Sequence, residues 1–245
     1  FCESGPMDSN AYDWANFLAF NLDGTPCIEA IGEMRLKVDE DCTVAVTGRE
    51  PTLCIDGIPS AAYQSQQVSA GAVITFGSVL LGSKVYLAIG GNWQVPKAVG
   101  SACTVVREQL GGLDGKGSAL KEGDCIEVLT NTRNQESAKM RSLAQRHIDD
   151  YGFLESIRVI PGYQFSNFST VALRTFETSS YTVSSAIDRM GFRLIGEPVT
   201  ADIENMRSEA IHLGAIQVPG DGQPIVMMRD RQTLGGYPKL GCVSP

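Results

Sequence analysis

Between Asp8 and Leu22 the apolar residues Tyr12, Trp14, Ala15, Phe17, Leu18 and Leu22 recur at mixed three- and four-residue steps. That period keeps one face of an α-helix apolar, and Asp8 or Ser9 can serve as its N-cap, with Asp23-Gly24 as the stop. From Arg35 to Leu129 the period changes to short alternating runs bounded by Gly, Pro or Asp, at 43–48, 72–77, 84–89 and 124–129. Such runs predict strands joined by tight turns, and many of them at this spacing predict a barrel or a sandwich. From Thr130 to Asp150 large apolar residues thin out and Asn, Gln, Arg, Lys and Ser take over. This predicts a polar linker, with a helical stretch around Ser137 to Ile148. Further strands are predicted at 157–160, 192–195, 213–218 and 224–229, with a short helix at 166–177. The expected organisation is mainly β with a few helices: a first lobe with its N-terminal helix over 1–130, a linker over 131–155, and a second lobe over 156–245.

Composition narrows the partners. A hydrophobic fraction of 43% over 245 residues is enough to bury a real core. Twenty Lys and Arg against 28 Asp and Glu leave a net charge of −8, so the basic footprint of a nucleic-acid or anionic-membrane binder is missing. Between Gly57 and Val106 the charged residues are Lys84 and Lys97 alone, but Ser, Gln and Gly break this stretch into strand-length pieces, too short for a membrane helix. The opening Phe1-Cys2-Glu3-Ser4 has neither the basic nor the apolar region of a secretory leader. Seven cysteines, an odd number without a C-x-x-C pair, predict reduced thiols and a cytoplasmic location, with Cys42, Cys54 and Cys125 packed inside strands. Neither His147 nor His212 lies near a cysteine pair, so no metal site is expected.

Several motifs fail on inspection. Leu110-Gly111-Gly112-Leu113-Asp114-Gly115-Lys116-Gly117 imitates a phosphate loop, but the first required glycine position is Leu110 and the residue after the lysine is Gly117 rather than Ser or Thr. Ser137-Ala138-Lys139-Met140 lacks the methionine before the lysine that a biotin-carrying tetrapeptide has. The two histidines have no nucleophile in a recognisable elbow. The stretch from Gly214 to Val226 instead reads as a hairpin turning at Pro219-Gly220-Asp221-Gly222. Directly after it, Asp230, Arg231, Gln232, Thr233, Gly235, Gly236, Tyr237 and Lys239 gather charge, amide, hydroxyl and paired glycines. Paired glycines let a backbone approach a ligand closely, while Asp230, Arg231 and Lys239 suit anion binding or proton transfer, with Gln217 facing them from the hairpin. Asp188 and Arg189 are either a structural ion pair or substrate contacts. Ser4, Gly5 and Asp8 either cap the first helix or bind an anion.

The blocks Ser4-Gly5-Pro6-Met7-Asp8, Ala45-Val46-Thr47-Gly48, Tyr86-Leu87-Ala88-Ile89-Gly90-Gly91 and Gly111-Gly112-Leu113-Asp114-Gly115 occur in that order. They are followed by Asp188-Arg189-Met190-Gly191-Phe192-Arg193-Leu194, the 214–225 hairpin and the run from Asp230 to Lys239. Over almost its whole length the chain thereby resembles the biotin-dependent carboxyltransferase-like proteins, also called the allophanate hydrolase subunit 2 family. The resemblance implies two cyclophilin-like β-barrel lobes, and it leads us to expect an opening strand before Phe1 and a closing segment after Pro245, which leaves the second lobe incomplete. It implies one component of a multi-chain enzyme, working with a B-type protein of the same superfamily and an A-type protein to open the lactam 5-oxo-L-proline to L-glutamate, and inactive without those partners. ATP would be a cofactor shared with that complex, since no nucleotide motif is recognisable here. Alternatives are a carboxyltransferase acting on urea or a related amide with carboxybiotin held on another chain, and a non-catalytic antagonist of a kinase inhibitor. Under the first reading Lys239, Asp230 and Arg231 are the catalytic candidates; Gln217, Gln232, Thr233, Gly235, Gly236, Tyr237, Asp188 and Arg189 are the substrate-binding ones. Gln94 stands where the family pattern has an acidic residue, which tests whether that carboxylate serves chemistry or only caps a turn.

Overall fold

The computed structural model describes residues 1–80, 82–130, 140–152, 156–185, 187–203 and 206–244. They form two compact units, Asp8–Gly152 and Phe1–Met7 with Phe153–Pro245. The opening heptapeptide, expected with the first lobe, thus belongs to the second unit.

In the first unit, α1 (Ser9–Leu18) starts at Asp8, whose carboxylate accepts the Ala11 N–H at 2.9 Å as an N-cap does. It ends four residues earlier than its period predicts, because Phe20 turns left-handed at φ 62° and the Asn21 side chain bonds Asn16 Oδ1 and the Ile89 carbonyl. The strands that follow among the described residues are β1 (Ile28–Ile31), β2 (Met34–Lys37), β3 (Cys42–Gly48), β4 (Pro51–Ile55), β5 (Ile58–Pro59), β6 (Gln66–Val68), β7 (Val73–Ser78), β8 (Lys84–Ile89), β9 (Asn92–Trp93) and β10 (Val128–Leu129). They pair antiparallel into two four-stranded sheets, β1-β8-β3-β6 and β2-β7-β4-β5, plus the β9-β10 ribbon.

One core lies between these sheets, with Val44, Val46, Val85 and Leu87 from one and Leu53, Ile74 and Phe76 from the other. The opposite face of β3 and β8 carries Ala45, Tyr86 and Ala88, and Ala11, Ala15 and Leu18 of α1 cover it. Every residue of β3 is therefore buried, although its sequence alternates. A polar network pins the start of α1: Tyr86 donates to Glu29 at 2.7 Å and accepts the Asp8 N–H at 2.8 Å, while Tyr151 donates to the Asp8 carboxylate at 2.6 Å. Burial is the main force pushing the Tyr86, Tyr151 and Tyr63 phenols above their usual range.

The second unit holds β11 (Val159–Pro161), α2 (Thr170–Thr178), β12 (Thr182–Val183), β13 (Gly191–Ile195), β14 (Glu209–Ala210), β15 (Ala215–Gln217), β16 (Ile225–Met227), β17 (Leu234–Gly235) and β18 (Lys239–Val243). Six of these strands form one sheet in the order β11-β18-β15-β16-β13-β12, and β14 pairs with β17 apart from it. Ser169 caps α2 through the Ala172 N–H, and α2 packs Ala172 against Val199, Ile216 and Leu240.

The mainly β composition stands, but the expected barrels do not: among the described residues none of the sheets closes on itself. In the first unit the strands divide between two sheets that bury one face against each other, and in the second the sheet ends at the short edge strands β11 and β12. The strand predicted at 124–129 survives only as β10. Its first part is a turn in which Asp124 accepts the Lys121 N–H, leaving Cys125 exposed rather than packed in a strand. Ser137–Lys139 of the predicted linker helix lie outside the described residues, and the remainder holds a single 3-10 turn at Gln145–His147. Residues 140–152, expected in a linker, are part of the first unit, with Arg141 stacked on Phe17 and Phe20 and Leu143 bonded to the Tyr63 carbonyl.

Candidate functional site

Every candidate catalytic and substrate-binding residue lies in the second unit. The predicted hairpin is present: β15 and β16 pair antiparallel with Ile216 facing Val226. On its other side β15 pairs with β18, and there the register shifts. Ile216 faces Gly241 while Gln217 faces Lys239, so Leu240 is the extra residue of a bulge. A regular ladder would set Leu240 opposite Gln217; the bulge brings Lys239 there instead, as bulges beside functional groups do.

Lys239 is buried, and its ammonium sits 3.3 Å from Glu209 Oε2. Gln164 holds both ends of this pair. Its Oε1 accepts the Lys239 backbone N–H at 3.3 Å, and its Nε2 donates to the same Glu209 oxygen at 2.9 Å. Across from Lys239, Gln217 is only 1% exposed, and its Nε2 has no hydrogen-bond partner among the described residues. An orphaned buried donor costs about 1–3 kcal/mol, and a carbonyl or carboxylate oxygen of a bound molecule would satisfy it. Gly235 is where the amides converge. A Cβ there would lie 2.9 Å from Gln217 Nε2, 2.8 Å from Gln232 Nε2 and 2.6 Å from Ile211 Cδ1, so any larger residue would push these side-chain ends aside.

The charged pair before this loop is organised differently. Asp230 receives Arg189 Nε at 2.9 Å and Arg189 Nη2 at 3.2 Å, and Ser4 Oγ donates to it at 2.7 Å. Arg189 also bonds the Gly5 carbonyl. Ser4 is buried at φ 51°, a left-handed conformation uncommon outside glycine, and it belongs to this clamp. Asp230 therefore has its oxygens occupied by a cation and a hydroxyl, the environment of an anchor rather than of a base. Arg231 points elsewhere: Nε donates to the Ile211 carbonyl at 3.0 Å, Nη2 lies 3.3 Å from Glu3, and Nη1 is buried without a partner among the described residues.

Other candidates separate from this cluster. Asp188 turns back to accept the Met190 and Gly191 N–H groups, a turn-capping role. Thr233 is exposed, and its carbonyl accepts the Ile211 N–H. Gly236 and Tyr237 line a cleft of about 250 Å³ with Thr200, Met206 and Val218. A larger cleft, about 880 Å³, lies in the first unit over Met34, Leu36 and Ile126 and contains none of the candidates. Gln94, also in the first unit, is exposed and donates to the Asn92 carbonyl, as a turn cap would. Sequence reasoning missed Gln164, Glu209 and Glu3. No local signal in the sequence marks them; Glu209 is brought in by a strand pairing seen only in the structure, opposite Gly235.

The sequence settles the class: the chain belongs to the carboxyltransferase domain family, subdomains A and B, whose sequence model spans residues 1–245. Within that family it is 31% identical to the 5-oxoprolinase C subunit of Haemophilus influenzae over 243 residues, 98% of this chain and 75% of that protein. Identity to the corresponding 5-oxoprolinase C subunit of Escherichia coli is also 31%, over 242 residues and the same shares. Urea amidolyase of Saccharomyces cerevisiae is 26% identical over 250 residues, 96% of this chain but 14% of that protein. Among solved structures, TTHA0988 superposes with a TM-score of 0.82 at 28% identity, covering all of this chain and 46% of that one. Kluyveromyces lactis urea carboxylase shares the fold, with a TM-score of 0.85 at 23% identity over 99% of this chain and 23% of that one.

Proposed function

We propose that this chain is the C-type component of an ATP-dependent 5-oxoprolinase, opening the lactam of 5-oxo-L-proline to L-glutamate together with A- and B-type partners in the cytoplasm. The observation that carries this reading is 31% identity to two 5-oxoprolinase C subunits over 98% of the chain. The buried cluster around Lys239 supports it chemically. A lactam carbonyl resists attack because the amide is resonance-stabilised, and negative charge must gather on its oxygen as the bond opens. Lys239 supplies a buried ammonium for that charge, and Gln217 Nε2 and Arg231 Nη1 are buried donors in want of an acceptor, although the Arg231 guanidinium is otherwise engaged by Glu3 and the Ile211 carbonyl. Asp230 holds Arg189 and Ser4 in place.

ATP would supply the driving force for opening a stable amide, but the glycine-rich stretch of this chain does not fit its phosphates. In the glycine-rich stretch the Gly115 and Gly117 N–H groups bond the Gly112 and Gly111 carbonyls, and Asp114 takes those of Lys116 and Ser118. ATP is accordingly read as a cofactor shared with the complex and not as a ligand of this loop. The test is reconstitution of the A- and B-type partners from the same source with and without this chain. Phosphate release from ATP that depends on both 5-oxoproline and this chain is expected; equal release without the chain would remove the reading. A second reading, carboxyl transfer from carboxybiotin to an amide nitrogen, draws on the 26% identity to urea amidolyase over 96% of the chain. Carboxylation of urea by the same complex, with a biotin carrier supplied, would favour it.

A further inference from the structure

Resting on the assignment of Lys239 as the charge-stabilising group, we propose that Gln164 and Glu209 are positioning residues that fix the Lys239 ammonium toward its substrate. One glutamine side chain touches both components of the ion pair. Gln164 Oε1 fixes the Lys239 backbone, and Gln164 Nε2 fixes the carboxylate that faces the Lys239 ammonium. Gln164 is 8% exposed and stands at the mouth of a 3-10 turn, Phe165–Asn167, that packs on β18. Gly162, two residues earlier, bonds the Leu240 carbonyl, so this segment is tied to the bulged strand.

The arrangement has a direction. The Glu209 side chain is 43% exposed, so without Gln164 its carboxylate would swing toward water and carry the ammonium with it. With Gln164 in place, the oxygen that receives Lys239 is held by a second donor from a buried side chain. The lysine has four rotatable bonds, and a displacement of about 1 Å is enough to cost up to about a hundredfold in rate. Glu209 and Gln164 do not react; they restrict where Lys239 can reach.

The backbone contact and the carboxylate contact of Gln164 can be separated. Gln164→Glu keeps the acceptor for the Lys239 backbone but loses the donor to Glu209 and sets two carboxylates against each other. In the reconstituted complex, Gln164→Glu is expected to lower kcat about tenfold or more with KM within about twofold. A role confined to the backbone contact predicts wild-type kcat for Gln164→Glu, and this result would overturn the proposal. Acetylation of Lys239 by an amine-reactive ester, followed by mass spectrometry on the isolated chain, reads positioning without activity. Gln164→Ala should raise its rate severalfold over wild type, and an unchanged rate refutes positioning. Raised acetylation together with undiminished turnover of Lys239→Met would keep the positioning and remove the catalytic reading of Lys239.

Discussion

Removing the Asp230 carboxylate should destabilise the second unit and loosen the opening heptapeptide. Asp230 is 5% exposed at its side chain and Arg189 24%. Asp230→Ala leaves the guanidinium without the carboxylate that binds it twice, and strips Ser4 Oγ, inside a buried residue, of its acceptor. Breaking one partner of a buried pair costs about 3–5 kcal/mol. Because a quarter of Arg189 reaches water, the lower end applies, about 3 kcal/mol. For a chain of this size, about 2–4 °C per kcal/mol places the fall in Tm near 6–12 °C. The assay is thermal melting of the intact chain, with hydrogen exchange of the Phe1–Met7 peptide alongside it. Exchange in that peptide should accelerate, since Ser4 and Gly5 are both held by this pair. Arg189→Met, Asp230→Leu and their double variant complete a cycle whose coupling should reach at least about 1 kcal/mol. A loss below about 1 kcal/mol for Asp230→Ala, or additive single variants, would refute the clamp.

Three further outcomes follow from the same contacts. Gly235→Ala should leave the fold intact, because its new Cβ meets only side-chain ends, yet lower turnover of the reconstituted complex about tenfold by pushing aside Gln217 and Gln232; wild-type turnover would count against the amide cluster. Gly111→Ala should cost more than about 1 kcal/mol in urea unfolding, since φ is +67° and the Cβ would collide with the Cys103 carbonyl oxygen; a neutral variant would show that the loop relaxes. The raised phenols of the first unit set an alkaline limit. Unfolded tyrosine ionises near pH 10 while folded Tyr86 keeps its proton, chiefly through burial, so the unfolded chain binds fewer protons and stability is complete below about pH 10 and falls above it. Unfolding free energies from urea curves between pH 8 and 11.5 should drop at a slope of up to about 1.4 kcal/mol per pH unit for Tyr86, and Tyr86→Phe should flatten that part of the curve.

How far the fold was legible depended on how local its causes are. The period of α1 and its Asp8 cap are contained in a dozen residues, and so are the β15–β16 hairpin and its turn. The strand β18 was hidden because Pro238 precedes it and Gly241 interrupts it, both of which read as loop; it is a strand because β11 and β15 flank it. Full burial of β3 was also illegible, since only α1 lying on its second face makes its alternating polar positions interior. The site divides in the same way. Gln217 and the run from Asp230 to Lys239 announced themselves by chemical density. Gln164, Glu209 and Ser4 reach their partners across 75, 30 and 226 residues of sequence, and no local pattern encodes such pairs. Asp188 was misleading for the opposite reason: a carboxylate beside an arginine looks like a pair, whereas the Asp188 carboxylate closes a local turn and Arg189 meets Asp230.

The most direct test of Lys239 as the charge-stabilising group is 5-oxoproline-dependent phosphate release by the assembled complex carrying Lys239→Met, with co-purification of the partners scored in the same preparation. The buried ammonium is replaced by an apolar chain of similar length, so assembly should persist while turnover falls by about a hundredfold or more, the scale expected for losing one charge-stabilising group. An assembled complex that turns over at the wild-type rate would contradict the assignment.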